Sequence, residues 1–157
     1  IAELLAQGAP IDGFGVGTRM GTISDRPYLD SAYKLSEFKG EGRMKLSLEK
    51  ANLPGRKQVF RFYDEDGRAT HDVIACHGEQ LEGGEPLLRC VMRGGQRTEA
   101  GRDTLEAARE RTRQGLARLP ERLLSLEEAD PPYPVHISER LQALGEAVRH
   151  RLMQQET

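Results

Sequence analysis

The chain has 157 residues, enough for one ordinary domain or for a large portion of a longer enzyme. Lys and Arg number 23 against 25 Asp and Glu, a net charge of -2, so the chain as a whole offers no basic field to hold a nucleic acid. Its hydrophobic share of 37% is low and its charged share of 31% is high for a self-contained domain, a balance that suits a piece whose remaining core lies elsewhere.

Ile1, Leu4 and Leu5 recur at helical spacing, but no capping residue precedes them, and Gly8 and Pro10 end the pattern after two turns. The spacing predicts a short helix that begins in the middle of a larger arrangement. Ile11 to Val16 then reads as a short buried strand, so helix, tight turn and strand make one step of a parallel α/β structure. The segment Ile1 to Val16 therefore needs neighbours on both faces from another part of the protein or another chain.

After Pro27 the composition changes to extended segments separated by Gly, Pro and Asp turns. Ser31 to Phe38 is expected as a strand and Gly40 to Gly42 as a turn. Arg43 to Leu48 is expected as a second strand, with Met44, Leu46 and Leu48 on the core face and Arg43, Lys45 and Ser47 on a cationic one. Arg56 to Tyr63 puts Phe60 and Phe62 on one side, Asp64 to Gly67 is a strong turn, and Arg68 to Cys76 returns as the hairpin partner. Pro86 to Arg93 reads as a further strand ended by Gly94 and Gly95.

Asp103, Thr104, Leu105 and Glu106 have capping-box spacing with Asp103 as the cap, opening a helix whose Leu105, Ala108, Thr112, Leu116 and Leu119 share a face until Pro120. Glu106, Glu110 and Glu121 interleave with the arginines between Arg109 and Arg118, the pattern of a salt-bridged exposed surface rather than a nucleic-acid site. Pro131 to Ile137 is extended. Ser138 caps a last helix whose Leu141, Leu144, Val148 and Leu152 are expected to be buried against the β-rich section, and Gln154 to Thr157 are expected to fray.

Cys76 and Cys90 are too few for a disulfide framework and have no C-x-x-C spacing, so neither a disulfide nor a metal is expected. His71, His77, His136 and His150 read as surface or structural residues. No run approaches the roughly 20 apolar residues that cross a bilayer, and no leader opens the chain, so a soluble, cytoplasmic protein is expected.

Phe14-Gly15-Val16-Gly17-Thr18 is the most informative local feature, although a turn of this kind taken alone is more often a tight connection than a ligand site. A turn of Gly-x-Gly-Thr after a strand leaves backbone N–H groups free, removes the Cβ atoms that would block an approaching phosphate, and adds a hydroxyl donor. It lacks the third glycine of the dinucleotide fingerprint and the Gly-Lys-Ser/Thr of the P-loop. Arg43, Lys45 and Ser47, with Lys50, Arg56 and Lys57 following, are a second place where a phosphate-rich substrate could be drawn in, although cationic strand faces more commonly face water or mark a sheet edge.

Ile11 to Thr18 resembles the last barrel strand and phosphate loop of nicotinate phosphoribosyltransferases. Tyr33-Lys34-Leu35, Arg43 to Ser47, Leu53 to Lys57 with Phe60-Arg61, and Ser138 to Leu144 extend the resemblance in order along nearly the whole chain. It implies an α+β fragment: residues 1–26 as the last helix-strand step of an irregular α/β barrel of the type II phosphoribosyltransferases, and residues 27–157 as a β-rich section with two C-terminal helices.

It also implies an enzyme that joins nicotinate to phosphoribosyl pyrophosphate, with Mg²⁺ and ATP as co-substrate, usually as a homodimer. By the same resemblance Gly15, Gly17 and Thr18 hold the ribose 5′-phosphate. The family's phosphorylated histidine, nicotinate-gripping arginine and N-terminal tyrosine are expected in an upstream part, so no catalytic residue is expected here and the chain alone is expected to be inactive. Two other readings remain open: a non-catalytic domain that docks to a separate barrel chain, and a nicotinamide or quinolinate phosphoribosyltransferase relative.

Overall fold

The computed structural model describes residues 1–15, 17, 33–47, 51–125 and 127–155. The chain divides into two compact units, Ile1–Lys34 and Leu35–Thr157. The expected division at residues 26 and 27 lies outside the described residues.

In the first unit, α1 (Ala2–Ala6) ends as the sequence predicts. Gly8 has φ +70, its N–H donates to Leu5 O at 3.0 Å, and the Ala9 N–H donates to Leu4 O at 3.1 Å. That pair of bonds closes the last turn in the Schellman manner. The strand expected over Ile11 to Val16 is absent from residues 11–15, where only Ile11 is half-buried and Phe14 is 43% exposed. A strand needs a ladder partner for its N–H and C=O groups, and within the first unit no described segment pairs with residues 11–15. Val16 lies outside the described residues.

Among the described residues the buried apolar side chains lie in the second unit. Its four-stranded sheet has the order β5-β3-β4-β8, built from β3 (Lys57–Tyr63), β4 (Ala69–Cys76), β5 (Glu85–Pro86) and β8 (Val135–Ile137). The expected hairpin is present: Lys57 pairs with Cys76, Phe60 with Val73 and Arg61 with Asp72. The Asp64 carboxylate fixes its turn, accepting from the N–H groups of Asp66 at 3.1 Å and Arg68 at 2.8 Å. β5 is antiparallel to β3 and β8 is parallel to β4.

Several predicted strands are shorter than the pattern suggests. Of Ser31 to Phe38, only β1 (Glu37–Phe38) is a strand, paired with β2 (Glu41–Gly42), while Ser31 and Ala32 lie outside the described residues. The turn sits one residue earlier than expected, with φ 51 at Lys39 and φ 79 at Gly40, the doubly left-handed geometry that matches strand twist in a two-residue hairpin. Residues 43–47 form no strand, because the Asn52 side chain takes the place of a neighbouring strand: its Oδ1 accepts from the Lys45 N–H at 2.9 Å and its Nδ2 donates to Arg43 O at 3.4 Å. The strand expected from Pro86 to Arg93 is likewise split. After Leu87 donates to Val59 O at 2.9 Å, the Gln58 amide captures both backbone groups of Leu88, and a separate hairpin of β6 (Met92–Arg93) and β7 (Gln96–Arg97) follows.

In the last helix, α3 (Glu139–Gln155), the expected face is partly covered: Leu141 and Val148 are buried, Leu144 and Leu152 are half-buried, and the helix continues through Gln154 and Gln155, where fraying is expected. Ser138 Oγ accepts from the Leu141 N–H at 3.2 Å and donates to Glu79 Oε2 at 2.9 Å, which caps the helix and ties it to the end of β4. Leu141 and Val148 are 0% and 4% exposed. A Cβ on Gly42 would sit 3.0 Å from Val148 Cγ2, and one on Gly55 would sit 3.0 Å from Leu144 Cδ2, so these glycines let the helix approach the backbone closely. Arg151 Nη2 donates to Gly42 O at 2.7 Å across the same contact.

The middle helix does not follow the pattern. In α2 (Leu105–Ala117) the cap is Thr104, whose Oγ1 accepts from the Ala107 N–H at 3.2 Å, and not Asp103, whose carboxylate is drawn into an ion pair with Arg111. Of the expected apolar stripe only Ala108 and Leu119 are half-buried, and Leu105 is 80% exposed. The side turned towards the sheet is the polar one, carrying Arg111, Gln114 and Arg118.

Candidate functional site

Gly15 and Gly17 are exposed, and a Cβ on either would meet nothing within 4 Å. Neither has a left-handed φ, so the freedom of glycine is not used for the turn itself. Packing among the described residues therefore does not explain the two glycines, and what remains is the open backbone they present. Thr18, the third residue of the expected phosphate turn, lies outside the described residues.

The Arg43, Lys45 and Ser47 face is partly realised. Lys45 and Ser47 are exposed, but Arg43 is half-buried and its Nη1 lies 2.8 Å from Glu41 Oε2, so its charge is already matched. Further along, Lys57 is turned inward. Its Nζ donates to Leu53 O at 2.8 Å and Gly55 O at 2.6 Å, and burial holds its ammonium below the usual lysine range. It serves the loop rather than a ligand, while Lys50 lies outside the described residues.

A polar cluster on the sheet was not anticipated. Arg61 on β3 faces Asp72 on β4 and binds it through two hydrogen bonds of 2.8 Å, Nε to Oδ1 and Nη2 to Oδ2, while the Tyr133 hydroxyl donates to Oδ1 at 2.9 Å. Burial alone would push the Asp72 carboxyl up, but the hydrogen bonds from Arg61 and Tyr133 outweigh it, and the group ends below the usual carboxylate range. Tyr133 is pushed up to about 12 by burial and by its bond to Asp72. Once the hairpin register is known, Arg61 and Asp72 are direct cross-strand partners, so the turn at Asp64 to Gly67 was the signal that could have found them.

Of the histidines, His77 and His150 are exposed, while His71 and His136 lie in ring contacts on the sheet. His71 stacks on Phe62 with ring centroids 4.6 Å apart and meets His136 edge-on at 5.5 Å. Cys76 is a buried free thiol and Cys90 an exposed one. Among the described residues no three His, Cys, Asp or Glu side chains come together in a way that could hold a metal ion. No described helix is long and apolar enough to cross a membrane.

Residues 82–145 match the family model described as the nicotinate phosphoribosyltransferase C-terminal domain. Over 151 residues the chain is 47% identical to the nicotinate phosphoribosyltransferase pncB2 of Mycobacterium tuberculosis, covering 96% of this chain and 32% of that one. It is 32% identical to the human nicotinate phosphoribosyltransferase over 168 residues, covering 92% of this chain and 31% of the relative. The crystal structure of human nicotinic acid phosphoribosyltransferase superimposes with a TM-score of 0.60 at 28% identity, over 74% of this chain and 26% of the human one. The chain thus spans about a third of the length of the curated relatives it matches.

Proposed function

This chain belongs to the nicotinate phosphoribosyltransferase family, and from that membership we propose that it is the C-terminal part of an enzyme of NAD biosynthesis. The reaction joins nicotinate to phosphoribosyl pyrophosphate, giving nicotinate mononucleotide and pyrophosphate with coupled ATP hydrolysis, in a cytoplasmic homodimer. The observation that carries this reading is the 47% identity sustained over 96% of the chain. The curated relatives reported above are named for nicotinate, which favours it over nicotinamide or quinolinate.

Within that enzyme the work of this chain is binding. The amides of Gly15 and Gly17 and the hydroxyl of Thr18 donate to the ribose 5′-phosphate of phosphoribosyl pyrophosphate and of the mononucleotide. Backbone N–H groups suit a dianion because they bring partial positive charge without a side chain that must be desolvated. The exposed, Cβ-free positions of Gly15 and Gly17 support this assignment. Magnesium, which the family reaction implies, finds no assembled ligand set among the described residues.

The test is steady-state kinetics in the full-length enzyme. Thr18→Ala removes one donor to a charged group, worth about 1.5–3 kcal/mol, and should weaken phosphoribosyl pyrophosphate use roughly ten- to a hundred-fold. Gly17→Val places a branched side chain where the phosphate must approach and should be more severe. The KM for nicotinate should change less, because its contacts are expected upstream. Unchanged phosphoribosyl pyrophosphate kinetics in both variants would refute the phosphate assignment.

A further inference from the structure

A cleft of about 650 Å³ opens between the β3 and β5 edge of the sheet and α2, and its walls carry four guanidinium groups, Arg61, Arg89, Arg111 and Arg118, against two carboxylates, Glu85 and Asp103. The chain as a whole has a net charge of -2, so this concentration of positive charge is local. Three of the arginines are held in place. Arg61 is fixed by Asp72, Arg111 is paired with Asp103, and Arg118 lies 3.0 Å from Glu85 with its guanidinium 3.5 Å above the Tyr63 ring. Arg89 has no carboxylate partner among the described residues.

The orientation of α2 gives the cleft its meaning. Arg111, Gln114, Gly115 and Arg118 line it at helical spacing, so the helix turns its polar side towards the sheet and leaves Leu105 and Leu116 80% and 51% exposed. An amphipathic helix that packs for stability does the reverse. A polar side aimed into a cleft of ligand size, with converging guanidinium forks, is an arrangement for a polar occupant. Guanidinium groups match phosphate oxygens two at a time, and several in one place favour a multivalent anion over a single charge.

We propose that this cleft binds a small phosphate-bearing anion, with Arg89, Arg111 and Arg118 as its principal contacts. Glu85 and Asp103 hold Arg118 and Arg111 in position when the site is empty, and with Asp72 bound to Arg61 the excess positive charge of the lining is that of Arg89, so a ligand must compete with Glu85 and Asp103 for the other two guanidinium groups. None of these residues belongs to the Gly15, Gly17 and Thr18 segment, so the two phosphate assignments stand or fall separately.

Calorimetric titration of the full chain with inorganic pyrophosphate, and separately with ATP, tests the proposal at fixed ionic strength. Each titration is done in the Gly17→Val background, which removes the glycine turn as an alternative site. Binding of either probe should weaken roughly ten- to a hundred-fold in Arg89→Gln and in Arg111→Gln, as expected for losing a hydrogen bond to a charged group. Arg149→Gln, the same charge change on α3 outside the cleft, should alter it by less than about two-fold if the attraction is not merely the global field. Binding of pyrophosphate as tight as that of ATP makes the phosphates the recognised part; tighter binding of ATP adds a contact to the nucleoside, and both outcomes keep the site. No binding of either probe at up to about 10 mM, far weaker than a built anion site, or an equal loss in Arg149→Gln, overturns it.

Discussion

At the scale of single residues, the most consequential side chain is Asp72, because it is 8% exposed and both its oxygens are taken by Arg61, with Tyr133 adding a third bond. A carboxylate in that position stabilises only while it is charged. Its folded value lies below the unfolded one near 4, so its contribution is present at neutral pH and is lost as pH falls through the folded value. Tyr133 has the opposite sign: its folded value of about 12 lies above the unfolded value near 10, so stability is lost as pH rises across that interval. Tyr63 is raised too, by burial and by Glu85, so the alkaline loss is shared. Asp72→Asn should cost about 1.5–3 kcal/mol at pH 7 and flatten the acid limb of stability. Tyr133→Phe should shrink the alkaline limb without abolishing it. Urea denaturation across pH reads both, and an acid limb as steep in Asp72→Asn as in the parent chain would remove Asp72 from this role. By contrast, Arg113 and Glu110 form an exposed pair on α2, 2.6 Å apart, and breaking it should leave the denaturation midpoint unchanged in the same measurement.

At the scale of elements, α2 and α3 show what periodicity does and does not reveal. Both sequences place apolar residues at helical spacing, yet Leu141 of α3 is 0% exposed and Leu105 of α2 is 80% exposed. The period identifies which residues share a face, but whether that face is covered depends on what lies opposite. For α3 the partner is the pair of glycines 42 and 55 with the buried Pro54, small groups that let a leucine stripe descend onto backbone. For α2 the sheet edge presents arginines and Glu85, so the polar side turns inward. Leu141→Ala should cost about 2–5 kcal/mol, as for a leucine losing full burial. Leu105→Ala, with the same atoms removed from an exposed site, should stay within about 0.5 kcal/mol. Gly42→Ala should also destabilise, by about 1–3 kcal/mol, since its new methyl group would press against Val148 and Pro54. Equal losses at Leu141 and Leu105 would contradict the different burial of the two helices.

At the scale of the whole molecule, local rules were legible where a segment supplies its own partners and failed where another segment competes. The hairpin of β3 and β4 was readable because Asp64 to Gly67 sets its turn and the alternating aromatic residues set its face. The strands expected after Gly42 and after Pro86 were not, because Asn52 and Gln58 side chains take backbone bonds that a neighbouring strand would otherwise make, and that depends on tertiary position. The Gly15, Gly17 and Thr18 reading rests on the sequence, with Val16 and Thr18 outside the described residues, whereas the Arg61, Asp72 and Tyr133 cluster joins residues 61 positions apart in the chain and needed the fold to be seen. The same distinction separates the two units. Among the described residues the buried apolar side chains Phe60, Ala69, Ala75, Cys76, Leu141 and Val148 all lie within Leu35–Thr157, while α1 in Ile1–Lys34 has no buried residue. Stability should therefore reside in the second unit, because burial of apolar surface is the main favourable term in folding. Residues 35–157 made alone should unfold cooperatively with a free energy within about 1 kcal/mol of the longer chain, the scatter expected of changes away from the core. Amide exchange on the longer chain should agree, with slow exchange at Phe60 and Val73 in the sheet and fast exchange from Asp12 to Gly15, whose amides have no ladder partner among the described residues. Loss of cooperative unfolding on removing residues 1–34, or protection of Asp12 to Gly15 equal to that of the sheet, would show that the first unit contributes to the core.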